Sequence, residues 1–200
     1  MEHISTLVKI SKSAFESDIE VGASSIGGPP EYDSVKWHVE MMKEGHLLTA
    51  IDGNEIIGGI IIFADTNDNS VMYIGRLFVS PDYFRKGYGS QIMKLIENMY
   101  PNITTWKLDT PVWNIRTNRF YKKIGYVEVG RDAESVYFQK VNRYLRGEIS
   151  ETSISTTRRG FISRWTTTCL MKCINASSTM NWKGKRLHNF LHLKPVKILC

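Results

Sequence analysis

The 200-residue sequence predicts an α/β fold of the α+β kind, with two helices leading into a run of strands and then helices and strands in alternation. Three stretches carry that prediction. Leu77-Phe78-Val79-Ser80-Pro81 reads as the end of an apolar strand, Phe84-Arg85-Lys86-Gly87-Tyr88-Gly89-Ser90 as a glycine-broken basic loop, and Gln91–Glu97 as a helix with apolar residues at helical spacing. Gly53-Asn54 stands between two apolar runs, which is a hairpin signal. Thr105–Thr110 leads through Asn114, a good N-cap, into a helical stretch that stops before Gly125, where a C-terminal cap belongs.

Taken in chain order, Ile4, Leu7, Val8, Ile10 and Phe15 define a first amphipathic helix. Gly22–Tyr32 is too rich in glycine and proline for regular structure. Ser34 caps a second helix through Val35, Trp37, His38, Met41 and Met42, closing near Gly45. His46–Asp52 and Glu55–Phe63 form the hairpin strands, with a bulge expected at Gly58-Gly59. A third strand spans Val71–Val79, followed by a helix over Ser90–Tyr100, a strand over Thr105–Thr110, a helix over Ile115–Ile124, and strands near Val127–Val129 and Val136–Val141.

A strand, a glycine loop and a helix start in that order make an anion site. Glycine lets backbone approach closely, and the free N–H groups at a helix N-terminus point at the ligand. The Walker spacing is absent. A dinucleotide fingerprint would need a third glycine where Ile92 stands. What remains is Val79-Ser80-Pro81 followed by Gly87-Tyr88-Gly89, which resembles the pyrophosphate loop of the GCN5-related N-acetyltransferase (GNAT) family. Phe84 occupies the place where that motif carries Gln or Arg. A second motif agrees with the first: Asn114, then Phe120-Tyr121, Lys123, Gly125 and Tyr126 fall in the family's register, with Thr117 in the place of a small residue. The resemblance covers roughly residues 4–141.

The resemblance implies a mixed, mostly antiparallel sheet that splays where Val71–Val79 and Thr105–Thr110 part, flanked by helices, with acetyl-CoA as co-substrate in the cleft and no metal. It implies cofactor contacts from Leu77, Phe78 and Val79 through the backbone, from Phe84, Arg85, Lys86, Gly87, Tyr88, Gly89 and Ser90 in the loop, and from Asn114. It places Tyr121 at the CoA sulfur as general acid, and a phenol near pKa ~10 can protonate a thiolate whose conjugate acid is near ~8.5. The activity implied is direct transfer of an acetyl group to a primary amine of a small molecule or peptide. The alternative is a protein that keeps the CoA site and has lost the chemistry. The base is left open among Glu31, Asp33, His38, Asp109 and water, because Tyr73-Ile74-Gly75-Arg76 has no carboxylate where many relatives carry Glu. Arg76 is read as an ion-pair residue, the alternative being that it faces a substrate carboxylate. The family's usual strand ahead of the first helix has no counterpart here, so one sheet edge is expected to be bare.

Charge divides the chain. Residues 1–140 hold 15 Lys and Arg against 18 Asp and Glu, a net −3, while residues 141–200 hold 11 against two, a net +9. The basic character therefore belongs to the last sixty residues and gives no reason to assign the motif-bearing domain to nucleic acid. The expected division is a domain over 1–141 and a basic tail over 142–200, read as disordered or extraneous, with a segment binding nucleic acid or anionic lipid and a small packed appendage as the alternatives. Cys169, Cys173, His188 and His192 have zinc-ligand spacing there but no finger-like core around them. No apolar run is long enough to span a membrane, and the first residues lack a signal-peptide pattern, so a cytoplasmic protein is expected. A homodimer is allowed for.

Overall fold

The computed structural model describes residues 2–142 and 196–199. Helices α1 (Glu2–Glu16) and α2 (Val35–Lys43) precede the hairpin strands β1 (Leu47–Asp52) and β2 (Glu55–Ala64). Then come β3 (Val71–Val79), α3 (Tyr88–Met99), β4 (Thr105–Pro111), α4 (Ile115–Lys123), β5 (Val127–Arg131), β6 (Ser135–Val141) and β7 (Val196–Leu199). The seven strands among the described residues join one sheet in the order β5-β6-β4-β3-β2-β1-β7.

Every neighbouring pair is antiparallel except β3 and β4. That parallel ladder runs only from Val71↔Thr105 to Tyr73↔Lys107. Beyond it the two strands separate, as the family resemblance implies, while β2 continues to pair with β3 as far as Gly58↔Val79. A register shift opposite Ile61/Ile62 leaves Gly75 without a partner on β2, so β3 bulges just where it parts from β4. The bulge expected at Gly58-Gly59 falls one residue earlier, with Ile57 as the extra residue between Ile56 and Gly58.

The sheet carries a core on each face. One is built from Ile57, Ile60, Ile74, Trp106, Leu108, Tyr121 and Phe138 with Ile92, Met93 and Ile96 of α3. The other brings Leu7 and Ala14 of α1 against Leu47, Ile61 and Phe78. Local signals place the helix ends. Ser34 accepts a hydrogen bond from the Trp37 N–H, and Gly45 and Gly125 take left-handed φ of 77° and 93° just past α2 and α4. A 3-10 turn over Ser17–Val21, a stretch without clear apolar period, extends α1 into the following loop.

The bare edge expected of a sheet lacking its first strand is instead covered. Residues Val196–Leu199 pair antiparallel with β1, from Thr49↔Leu199 to Asp52↔Val196. Val196 is 5% exposed and joins the larger core. The division drawn after residue 141 thus differs from the structure, in which residues 196–199 belong to the same compact unit as the motifs. The physical reason is pairing: a lone β-branched strand has no sequence signature of its own until a partner edge is known. The candidate zinc ligands lie outside the described residues.

Candidate active site

The glycine loop shapes the N-terminus of α3. Arg85 and Gly87 both have positive φ, 60° and 85°, and Gly87 is the residue before the helix. No side chain caps this end, and no acidic residue sits in its first turn. The first amides of α3 (Tyr88, Gly89 and Ser90) therefore stand at an end suited to an anion. The helix starts two residues earlier than expected, so Tyr88 and Gly89 are helical rather than loop. The Tyr88 side chain points away into the core and donates to Asp52 Oδ2 at 2.7 Å, so only its backbone can serve a ligand. Phe84 lies under the Arg116 guanidinium at 4.7 Å and packs on both cores.

The two sequence motifs meet in space. A Cβ on Gly89 would lie 3.2 Å from the Phe120 ring, so this glycine lets α3 and α4 approach closely. Asn114 is 1% exposed; its Oδ1 accepts from the Thr117 N–H at 3.1 Å, capping α4. Asn118, which no sequence motif singled out, holds the β4–α4 turn. It accepts from Thr110 Oγ1 at 2.6 Å and donates Nδ2 to the carbonyls of Pro111 and Asn114 at 3.1 and 2.9 Å. An Asn one turn after an N-cap Asn was the available signal. Arg116 was missed as well: it donates to Asp18 and Ser17 and so ties the 3-10 turn after α1 to the start of α4. Spacing alone cannot show a pair 98 residues apart.

A cleft of about 460 Å³ opens where β3 and β4 part. Ile74–Leu77 form one wall, Asp109–Pro111 the other, and Asn114, Thr117 and Tyr121 close it from α4. Residues of the Ala23–Pro29 loop lie over it, with Phe15 and Asp18. Tyr121 is 6% exposed, set among Phe120, Tyr126 and Phe138. Burial, reinforced by the Asp109 charge, raises its phenol and keeps it protonated well above neutral pH.

Of the base candidates, only Asp109 lines the cleft. It accepts from the Tyr73 hydroxyl, and desolvation by the cleft walls, with Asp132 nearby, raises its carboxyl. Asp33 is exposed and pairs with Lys12 at 3.6 Å. Glu31 is exposed at a positive-φ turn. His38 is wholly buried, its Nδ1 2.8 Å from the Ser34 carbonyl, and burial lowers its pKa. Arg76 differs from the ion-pair expectation: it lies over the Trp37 ring at 4.1 Å and donates to the Pro30 carbonyl. Among the described residues no cluster of His, Cys, Asp or Glu is arranged to hold a metal ion.

A seven-stranded sheet split between β3 and β4, with an uncapped helix following β3 and a tyrosine and a carboxylate lining the split, defines the class of α/β protein. The model of the acetyltransferase (GNAT) family matches residues 12–126, and the chain belongs to that family. Solved structures agree at the level of fold. PaiA N-acetyltransferase from Thermoplasma acidophilum, in complex with coenzyme A, superposes with a TM-score of 0.58 at 17% identity, covering 70% of this chain and 94% of that one. Ard1 from Thermoplasma volcanium gives 0.55 at 15%, covering 70% and 91%. An acetyltransferase from Thermus thermophilus gives 0.56 at 12%, covering 70% and 92%. No curated protein sequence matches this one.

Proposed function

We propose that this protein is an N-acetyltransferase that takes an acetyl group from acetyl-CoA and passes it directly to a primary amine. The observation that carries the reading is the parting of β3 from β4 after Tyr73↔Lys107, because it opens the backbone of β3 and two proton-active side chains, Asp109 and Tyr121, onto one cleft. Coenzyme A fits what is present: the uncapped first turn of α3 with Arg85 and Lys86 ahead of it suits a pyrophosphate, and the β4-facing edge of β3 from Gly75 to Val79 offers backbone groups to an amide-bearing arm. Bound acetyl-CoA supplies an acetyl thioester.

The chain's own residues do the rest. Leu77, Phe78 and Val79 lie along the arm's path, and the N–H groups of Leu77 and Val79, which alternate away from β2, are the donors available to a carbonyl in the cleft. Asp109 takes the proton from the acceptor ammonium through its carboxylate. Its raised pKa brings its basicity closer to neutral, where a general base works best. Tyr121 holds its proton on Oη, delivers it to the departing sulfur, and regains one from the nitrogen, which sheds its second proton as the amide forms. The Asn114 side-chain oxygen is taken by its cap, so its contribution is to fix the start of α4 under the cleft. The Ala23–Pro29 loop forms the acceptor side of the cavity, whose size suits a small molecule or the end of a peptide.

Isothermal titration with acetyl-CoA, followed by a free-thiol release assay over a panel of amines, tests this. Saturable binding with amine-dependent thiol release is expected. Absence of binding overturns the reading; binding without release from any amine overturns the catalytic part and leaves a CoA-binding protein.

A further inference from the structure

The phosphate loop is gripped at both ends by side chains outside the cleft. Tyr88, the first residue of α3, is 6% exposed, and its hydroxyl donates to Asp52. Tyr83 ends the short turn before the loop and packs edge-on against Tyr88, with ring centroids 5.1 Å apart. A hydrogen bond with Glu55 pushes the Tyr83 phenol up to about 12. Asp52 and Glu55 face each other across the tip of the β1–β2 hairpin. One hairpin tip thus anchors the tyrosines on either side of Phe84–Gly87.

The hairpin tip is in turn backed by β7. Val196 pairs with Asp52 and shares a core cluster with Tyr88, Ile92 and Ile96, and β7 packs against α3. Neither Asp52, Tyr83, Tyr88 nor any residue of β7 lines the cleft. Helix amides grip an anion well only when the helix start is held in place, and small displacements of a binding group forfeit much of its effect. A four-residue strand returning from a distant part of the chain is an element that can dock and release without unfolding the sheet behind it.

We propose that residues 196–199 and Asp52 are positioning elements for the phosphate loop, so that docking of this last strand on β1 sets the affinity for the phosphate-bearing ligand. The proposal rests on the CoA reading above. It makes Asp52 and Tyr88 residues that act through the α3 N-terminus, and it gives the strand 196–199 a role beyond covering an edge.

The test uses the full chain with Tyr88→Phe, Asp52→Ala, Asp52→Asn, Val196→Asp and the milder Val196→Ala. Hydrogen exchange at residues 84–91 is read without ligand, and coenzyme A is then titrated. Losing one hydrogen bond of ordinary net strength corresponds to about fivefold in an equilibrium constant. Tyr88→Phe and Asp52→Ala are therefore expected to speed exchange at 84–91 and weaken coenzyme A about fivefold, with exchange in β4 and α4 unchanged. Asp52→Asn, which keeps an oxygen for the tyrosine, is expected to restore both. The Val196 variants are expected to loosen the same amides, and Val196→Ala serves where Val196→Asp does not fold. Unchanged exchange at 84–91 in folded Asp52→Ala and Val196→Ala overturns the proposal. If the unsubstituted chain fails to bind coenzyme A, the CoA reading falls, and the ligand-free exchange still decides whether strand and hairpin hold the loop.

Discussion

The glycine loop and the cleft are built differently. The loop, proposed to hold phosphate, is made of consecutive residues, Phe84 to Ser90, and presents backbone: two positive-φ positions and an uncapped helix start. The cleft, proposed to take the acceptor, is assembled from side chains of separate segments: Phe15 and Asp18, the Ala23–Pro29 loop, Asp109 on β4 and Tyr121 on α4. A backbone site tolerates side-chain change but not displacement. A side-chain site is the reverse, since one substitution removes its chemistry and leaves the frame intact.

Four substitutions put that contrast to the test. The largest effect belongs to Tyr121→Phe, which is expected to lower turnover by about 10²–10⁴ while acetyl-CoA affinity stays nearly constant; steady-state kinetics beside a titration checks it, and equal turnover would remove the general-acid role.

Asp109→Asn is expected to cost about 10² in turnover and to abolish the acid limb of the pH–rate profile. It also has a sign opposite to most site mutations in stability. A carboxyl whose folded pKa is raised above its unfolded value favours the folded state below the unfolded pKa, and that contribution is lost as pH rises through the folded pKa. At neutral pH the ionised Asp109 therefore disfavours folding, and the neutral amide should raise the denaturation midpoint, with the difference from the native chain shrinking as pH falls toward about 4, the unperturbed Asp value.

Gly89→Val probes the glycine loop. The added carbons meet the Phe120 ring, and overpacking of this kind costs about 1–3 kcal/mol of stability. Acetyl-CoA affinity should fall with it, and a second change, Phe120→Leu, should restore part of both; thermal denaturation and titration of the single and double variants form the check. The smallest effect is expected from Asn118→Ala, about 1–2 kcal/mol from chemical denaturation. The residue lies outside the acceptor wall, so the loss should appear as a looser β4–α4 turn rather than altered acceptor choice.

Much of the fold was legible because its signals are local. Ser34, Asn114 and Gly125 mark helix ends by chemistry that acts within one turn, and Gly53-Asn54 marks the hairpin. Phe84 shows the limit. Its departure from the family's Gln or Arg is plain in the sequence, but its neighbour Arg116, stacked on its ring, is visible only in three dimensions. That Asp109, and not Glu31, Asp33 or His38, lines the cleft was equally out of reach, since four titratable residues look alike until one of them faces it. His38 has the chemistry of a base and is sealed in the core.

The sequence by itself determined the family, the order along the chain of all strands but the last, the glycine loop between β3 and α3, and the second motif that holds Tyr121. Each of these rests on residues close together in the chain, where spacing fixes geometry. Only the tertiary structure decided that β3 and β4 part after three rungs, that Gly89 and Phe120 bring the two motifs into contact, and that Val196–Leu199 close the sheet against β1. Those outcomes depend on which edges and faces find each other across long stretches of chain, and no local pattern of residues encodes a partner that lies so far away.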